Sequence, residues 1–285
     1  MEPSARPEPS SRPVSQSLQE YARGVGGGLL FSLPLLYTME VWTIGLTATP
    51  ARLIAFVVGT FGLLVAYNHY AGIHEAHSIR EDLLESIEEM GIGVLFAAGL
   101  LALLGRFPPE PFSAKALGLI TIEGMVAAIG VSVGTAQLGQ SPGEDDDGSG
   151  AAEPLSAAGE LVVAMCGAVL IASNVAPTAE VLQIGAEMTL AGLAGLAALS
   201  LLVGGGLLYF SEFRGSSRVQ GLSYGPVRGT LVTYAIALVA SAVLLWTFGH
   251  VDTAGLTGSL GPLVVLGFPA MLGAAAGRLL LSPAS

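Results

Sequence analysis

The sequence predicts an all-α fold, a polytopic transmembrane bundle of about eight helices built from two parallel four-helix repeats. Hydrophobic residues make up 52% of the 285 residues and charged residues only 12%, whereas charged residues form about a quarter of a soluble domain. The mean hydropathy is +0.68. Together with long apolar segments, these values indicate an integral membrane protein.

Eight apolar segments are long enough to cross a bilayer, which requires roughly 20 residues in a helix. They cover residues 24–46, 50–70, 85–105, 115–138, 157–177, 188–210, 228–249 and 260–281. The fifth segment is expected to continue past Pro177 as a kinked or broken end, and Pro34 is expected to have a similar effect within the first segment. Membrane helices tolerate such prolines where neighbours satisfy the freed backbone groups.

Two stretches of the chain match each other and predict an internal duplication. Residues 38–53 and 178–193 are identical at eight of sixteen positions with an offset of 140. A weaker match at an offset of 143 aligns Gly124, Ala127, Gly130 and Gly134 with Gly267, Ala270, Gly273 and Gly277. The GxxxG spacing in both halves predicts closely packed interior helices. The repeats cover 23–138 and 157–281, and four spans in each give both halves the same orientation.

The basic residues predict how the chain is oriented in a cell membrane. With both termini in the cytoplasm, eight arginines lie on the inner side and three basic residues on the outer side, as the positive-inside rule requires. Residues 1–22 are polar, lack the apolar core of a signal peptide and are predicted to be a disordered cytoplasmic tail. Residues 139–156 are predicted to be an acidic, flexible linker. The formal charge of −11 and the acidic loops argue against nucleic-acid binding.

The stretch LPLLYTMEVW, from Leu33 to Trp42, resembles the signature of an uncharacterised family of prokaryotic eight-span integral membrane proteins. The resemblance covers most of residues 20–281. It implies the eight-span architecture and carries no established activity.

Acidic side chains within the spans predict an ion site near the outer side. Glu40 and Glu123 lie at similar depth from that side, about 9–12 Å by helix rise, and Glu180 is the repeat counterpart of Glu40. An acid at the bilayer centre costs roughly 2.5–3.5 kcal/mol, so each is a functional candidate. Oxygen ligands suit a proton or a hard cation. The predicted set is Glu40, Glu123, Glu180, Thr38, Thr178 and Asn174.

A second polar cluster lies between the second and third spans, on the predicted cytoplasmic side. Glu88 and Glu89, with Glu85, are predicted to form a cytoplasmic mouth. His74 and His77 stand three apart and share a helix face, so with His69 they are candidate ligands of a transition metal. Proton sensing by the histidines and a solvated amphipathic junction remain open alternatives.

The leading functional prediction is a secondary transporter or permease for a small cation or a proton, without enzymatic activity and without a cofactor other than a bound cation. The chain has no GxxxxGK[ST] motif, so no ATP-driven pump is indicated. The alternatives are a membrane scaffold or sensor acting through a cytoplasmic partner, and a metalloenzyme using the histidines. Beyond the lipid bilayer and the ion, a second copy of the chain or another membrane protein is a candidate partner.

Overall fold

The computed structural model describes residues 14–71, 78–106, 110, 113–139, 155–213, 225–251 and 258–280. Within these residues the chain is all-α, with ten helices and no strand. The helices are α1 (Val14–Leu36), α2 (Met39–Thr47), α3 (Pro50–Ala71), α4 (Ile79–Leu103), α5 (Ala114–Gly139), α6 (Ala157–Ala172), α7 (Ala179–Glu187), α8 (Leu190–Phe213), α9 (Gly225–Thr247) and α10 (Leu260–Leu280). Most of the predicted tail and linker lies outside the described residues.

Six of these helices are long and apolar enough to cross a membrane, namely α3, α4, α5, α8, α9 and α10. The apolar part of α1 joins α2 through a bend of 87°, and the pair makes a seventh span if it is counted as one. The apolar helix α6 has only 16 residues. The protein is therefore a multi-pass integral membrane protein, but the expected first span over 24–46 is not one continuous helix.

The break between α1 and α2 follows from Pro34, which lies in the last turn of α1 and removes one helical hydrogen bond. Side chains donate hydrogen bonds to the carbonyl oxygens at the end of α1. The Thr38 hydroxyl donates to the carbonyl oxygen of Pro34 at 2.6 Å, and the Trp42 indole N–H donates to that of Leu36 at 3.1 Å. These bonds satisfy carbonyl groups that the end of α1 leaves without helical partners.

A second break separates α6 from α7. The Asn174 amide donates to the carbonyl oxygen of Leu170 at 2.7 Å, and the Thr178 hydroxyl donates to that of Val175 at 2.9 Å. The same Asn174 amide donates to the carbonyl oxygen of Phe31 in α1 at 3.0 Å, so it joins the two broken helices. The chain does break here, but α6 already stops at Ala172, ahead of Pro177, so the fifth span predicted over 157–177 is not one continuous helix.

Helices α5 and α10 occupy the interior. Helix α5 packs against α1, α2, α3 and α4, whereas α10 packs against α6, α7, α8 and α9. Contacts of α6 with α3, and of α9 with α3, join the two groups. The prediction that the two GxxxG helices are interior helices is confirmed.

Glycines allow these helices to touch backbone to backbone. A Cβ atom on Gly27 of α1 would overlap Gly130 and Gly134 of α5. A Cβ atom on Gly167 of α6 would likewise overlap the carbonyl oxygen of Gly273 in α10. Small residues permit such close approach in lipid, where no hydrophobic force drives helices together.

Both tryptophans mark one end of the bundle, which carries α2, α7 and the start of α3. The Arg106 guanidinium lies 4.0 Å from the ring centre of Trp42, and that of Arg52 lies 5.9 Å from the ring centre of Trp246. His250 lies at this end too, near the end of α9. Burial lowers the pKa of His250, and a backbone hydrogen bond with Ala176 opposes this shift. Aromatic residues paired with arginines are typical of the membrane interface.

Replacing Gly167 by Ala is expected to destabilise the protein by about 1–3 kcal/mol, because the added methyl group overlaps α10 and forces the helices apart. Thermal unfolding in detergent measures the change. Gly195→Ala is the matched control, since a Cβ atom there meets nothing within 4 Å and Ala favours a helix over Gly. Equal melting temperatures for the two variants would contradict the packing account.

Candidate functional site

Glu89 brings a carboxyl group into the interior of the bundle. Residues Asp82, Ser86, Glu89 and Gly93 follow one another along the buried face of α4, as the helical repeat dictates. Glu89 lies about 15 Å along the helix from its first residue, and it is only 6% exposed. Its neighbour Glu88 is exposed and Glu85 is intermediate. Of the three acids predicted at the cytoplasmic mouth, only Glu89 is buried.

Asn68 of α3 holds the Glu89 carboxyl in place. Its amide nitrogen donates to Glu89 Oε2 at 3.0 Å and to Ser86 Oγ at 3.1 Å. Its amide oxygen accepts a hydrogen bond from the Ser132 hydroxyl of α5 at 3.2 Å. All four residues are buried. We call them the Glu89 cluster, and together they connect α3, α4 and α5.

A polar connection leads from the Glu89 cluster towards the end of α3. The Ser86 hydroxyl donates to the backbone carbonyl of Asp82 at 2.7 Å. The Asp82 side chain is buried, and its Oδ2 lies 3.0 Å from Nδ1 of His69, which is 46% exposed. Buried polar groups are therefore linked to the surface at the end opposite the two tryptophans.

Glu123 is a further buried carboxyl of the first five helices, besides Asp82 and Glu89. It is fully buried in α5, and neither of its oxygens has a hydrogen-bond partner among the described residues. It shares a helix face with Ala127, Gly130 and Gly134 at spacings of four, seven and eleven residues, and the Ala127 carbonyl lies beside Gly28 of α1. Glu123 thus lies on the face that packs against α1, towards the break before α2.

Glu160 of α6 shows how a buried acid is neutralised elsewhere in the same protein. Its Oε2 accepts a hydrogen bond of 2.9 Å from Nη2 of Arg278 in α10, and Nη1 of Arg278 donates to the Thr233 hydroxyl of α9 at 2.9 Å. Both charged side chains are largely buried. This ion pair connects three helices and carries no net charge.

The predicted outer site is not assembled as one group of carboxyls. Glu40 and Glu180 lie in the first turns of α2 and α7 and are exposed, whereas Glu123 is fully buried. The depth expected for Glu40 assumed a straight helix, but the bend of 87° turns α2 away from the axis of α1. Equal distance along the sequence therefore does not mean equal depth.

The remaining predicted ligands contact the backbone. The hydroxyls of Thr38 and Thr178 and the amide nitrogen of Asn174 donate to carbonyl oxygens at the two breaks. The Asn174 amide oxygen has no hydrogen-bond partner among the described residues, so it is still available as an acceptor. Their role as ion ligands stays a prediction.

The histidines do not form a metal site within the described part of the chain. His69 is paired with Asp82, while His74 and His77 lie outside the described residues. No group of three His, Cys, Asp or Glu residues that could hold a metal ion occurs among the residues that the structure describes.

Sequence reasoning missed Asn68, Ser86 and Ser132 as site residues. One signal was present, since Asn68 ends a row of buried positions in α3 that includes Thr60 and Leu64. A carboxamide on the buried face of an apolar span needs a polar partner. The sequence alone could not show that this partner is Glu89.

Residues 20–281 match the family described as "Putative integral membrane protein (DUF2391)". The chain belongs to this family. The match covers all ten helices apart from the first residues of α1. Comparison with curated proteins and with solved structures finds no match. The family thus agrees with the fold as an integral membrane protein, and its description names no activity.

Replacing Arg278 by Met is expected to destabilise the protein by about 3–5 kcal/mol, because it leaves the Glu160 carboxylate buried without its cation. Adding Glu160→Gln to this variant is expected to restore most of the stability, since the buried charge is then gone. Thermal unfolding of the single and double variants measures both effects. A double variant that is no more stable than Arg278→Met would show that the ion pair is not what stabilises this contact.

Proposed function

We propose that the protein is a secondary transporter or permease for a proton or a small cation, and that Glu89 and Glu123 bind the ion. One observation carries this proposal. Both carboxyls are buried inside candidate membrane spans, and neither is hydrogen-bonded to a basic side chain among the described residues. The buried Glu160, in contrast, has Arg278 as its partner.

The physical argument concerns the cost of a buried charge. A carboxylate without a cation is expensive inside a protein and more so inside a bilayer. It avoids that cost by binding a proton or a cation, or by accepting hydrogen bonds. Glu123 has no donor among the described residues, and Glu89 has Asn68. Both side chains therefore suit reversible ion binding.

The carboxyls of Glu123 and Glu89 lie at different depths in the bundle. The start of α5 lies at the end of the bundle that carries α2, and Glu123 lies about 13 Å along the helix from that start. Glu89 lies beside Ser132, which is farther along α5. Along α5 the two levels are about 14 Å apart, and Ser132 and Glu123 project from opposite sides of the helix. An ion entering from either end of the bundle would meet one carboxyl before the other.

We also infer that the chain is a duplication with eight crossings. Helices α2 and α7 have nine residues each and begin 140 residues apart, as do α3 and α8. The close contact of Gly27 with Gly134 corresponds to that of Gly167 with Gly277, at offsets of 140 and 143. Gly45 with Gly118 corresponds in the same way to Gly185 with Gly261. In this architecture α1 with α2, and α6 with α7, are the broken first spans of the two repeats.

The inferred repeats differ in their polar side chains. At the same offsets, Glu123 corresponds to Leu266, Ser132 to Ala275 and Asn68 to Leu208. These three positions of the second repeat are buried and apolar. The ion path would therefore belong to the first repeat, with the second repeat held together by Glu160 and Arg278.

For orientation we keep the positive-inside arrangement, with both termini in the cytoplasm of a cell membrane. Arg80, Arg228 and Arg278 then lie at the cytoplasmic end with His69, and Arg52 and Arg106 lie at the outer end with the tryptophans. Glu40 and Glu180 are then exposed acids at the outer mouth.

Glu89→Gln and Glu123→Gln are each expected to abolish ion flux into proteoliposomes, because the amide cannot exchange a proton or pair with a cation at neutral pH. Flux is read with an internal pH dye and with tracers of monovalent and divalent cations. Glu88→Gln is the matched control, since it changes the exposed neighbour of Glu89 and is expected to keep its flux. Glu40→Gln should cause a smaller loss than Glu123→Gln.

Normal flux in both buried-acid variants, shown to be folded and inserted, would contradict the proposed sites. Absence of flux for every ion in the folded wild type would contradict the transport function itself. That result would favour a membrane scaffold or sensor that acts through a cytoplasmic partner.

A further inference from the structure

We propose that the ion bound at Glu89 is a proton rather than a metal cation, and that Asn68 is the residue that sets this selectivity. This inference rests on the proposed function and names its substrate. It goes further because it assigns a role to a residue that bears no charge and that neither the family description nor the sequence pattern singles out.

The direction of the hydrogen bonds around Glu89 supports a proton. A metal cation such as Ca²⁺ needs six to eight oxygen ligands with lone pairs pointing inward, and Mg²⁺ needs six. Asn68 instead presents its amide N–H groups, one to Glu89 Oε2 and one to Ser86 Oγ. Its only acceptor atom, the amide oxygen, is occupied by the Ser132 hydroxyl. In the amide orientation that the structure shows, a cation beside Glu89 would therefore meet donor hydrogens on this side.

The hydroxyls of the cluster are committed as well. The Ser86 hydroxyl donates to the Asp82 carbonyl at 2.7 Å and accepts from Asn68. The Ser132 hydroxyl donates to Asn68 at 3.2 Å. One carboxyl group is thus the only anionic ligand in the cluster. With the two hydroxyls and the amide oxygen the cluster holds five side-chain oxygens, fewer than the six to eight that Ca²⁺ takes or the six that Mg²⁺ takes.

An amide can serve both protonation states of the carboxyl. With Glu89 ionised, the Asn68 N–H donates to Oε2, as the structure shows. Once a proton is bound at Oε2, the amide can rotate by half a turn, so that its oxygen accepts the new O–H. Ser132 and Ser86 can follow, since a hydroxyl both donates and accepts. The proton is taken up without any new ligand, and its release reverses the same rotation.

Other titratable groups face Glu89 from the surrounding helices. Tyr67 of α3 and Cys166 of α6 interact with it electrostatically, and Glu85 and Glu88 do so from α4. The Tyr67 hydroxyl is buried and has no hydrogen-bond partner among the described residues. As a neutral hydroxyl it supplies no negative ligand to this site.

The decisive variant is Asn68→Asp, which replaces the amide donor by a second carboxyl at about the same place, roughly 3 Å from Glu89. Two adjacent carboxyls attract divalent cations. We expect the wild type to carry protons at a rate unaffected by whether the cation present is Na⁺, K⁺, Ca²⁺ or Mn²⁺. In Asn68→Asp, the concentration of Mn²⁺ or Ca²⁺ that inhibits proton flux should be lower than in the wild type by a factor of about ten or more. Asn68→Leu, which copies the corresponding Leu208, should lose most of its proton flux, because Glu89 then has no amide partner.

Each outcome in proteoliposomes has a distinct meaning. Wild-type uptake of a metal cation without proton movement would overturn the proton assignment and leave the permease function standing. Proton-only flux in the wild type, with no new metal inhibition in folded Asn68→Asp, would overturn the role of Asn68. The wild-type selectivity decides the substrate even if the Asp variant does not fold. No flux of any ion, with a proton ionophore as positive control, would remove the permease function and this inference with it.

Discussion

The bilayer core offers no water to a polar group, and the rest of this structure depends on that constraint. At the break after α1, Thr38 and Trp42 bind the released carbonyls, and Asn174 does the same after α6. Glu160 is neutralised by Arg278. Once these groups are accounted for, Glu89 and Glu123 stand out as buried carboxyls with no such neutralising partner among the described residues. Their functional interest follows from that contrast within one molecule.

Close helix packing is what brings the polar groups to their positions. Because α1 touches α5 through glycines, α5 is held in the interior with one face towards α1 and another towards α3 and α4. Glu123 lies on the first face and Ser132 on the second. Both faces of α5 thus contribute to the candidate ion path. In the second group of helices, α10 touches α6 through glycines as well.

The sequence predicted the features that depend on composition and period. The helical membrane class, the interior position of the two GxxxG helices and the burial of Glu123 all follow from apolar length and small-residue spacing. A kink at Pro34 was predicted but its angle of 87° was not, because a proline indicates a weak point in a helix without setting the angle that its neighbours impose. The bond between Asn68 and Glu89 was missed since it depends on how α3 and α4 rotate against each other. The depth expected for Glu40 assumed a straight first span, which the bend does not provide.

The central claim, that Glu89 and Glu123 exchange an ion inside the bundle, is tested most directly by infrared difference spectra of the purified protein between acidic and alkaline buffer. The account predicts carbonyl-stretch bands of carboxylic acids that appear and vanish with pH. One band should be absent in Glu89→Gln and another in Glu123→Gln, and Glu88→Gln should keep both. Spectra that neither buried-acid variant alters would contradict the account, because the two carboxyls would then be fixed structural groups.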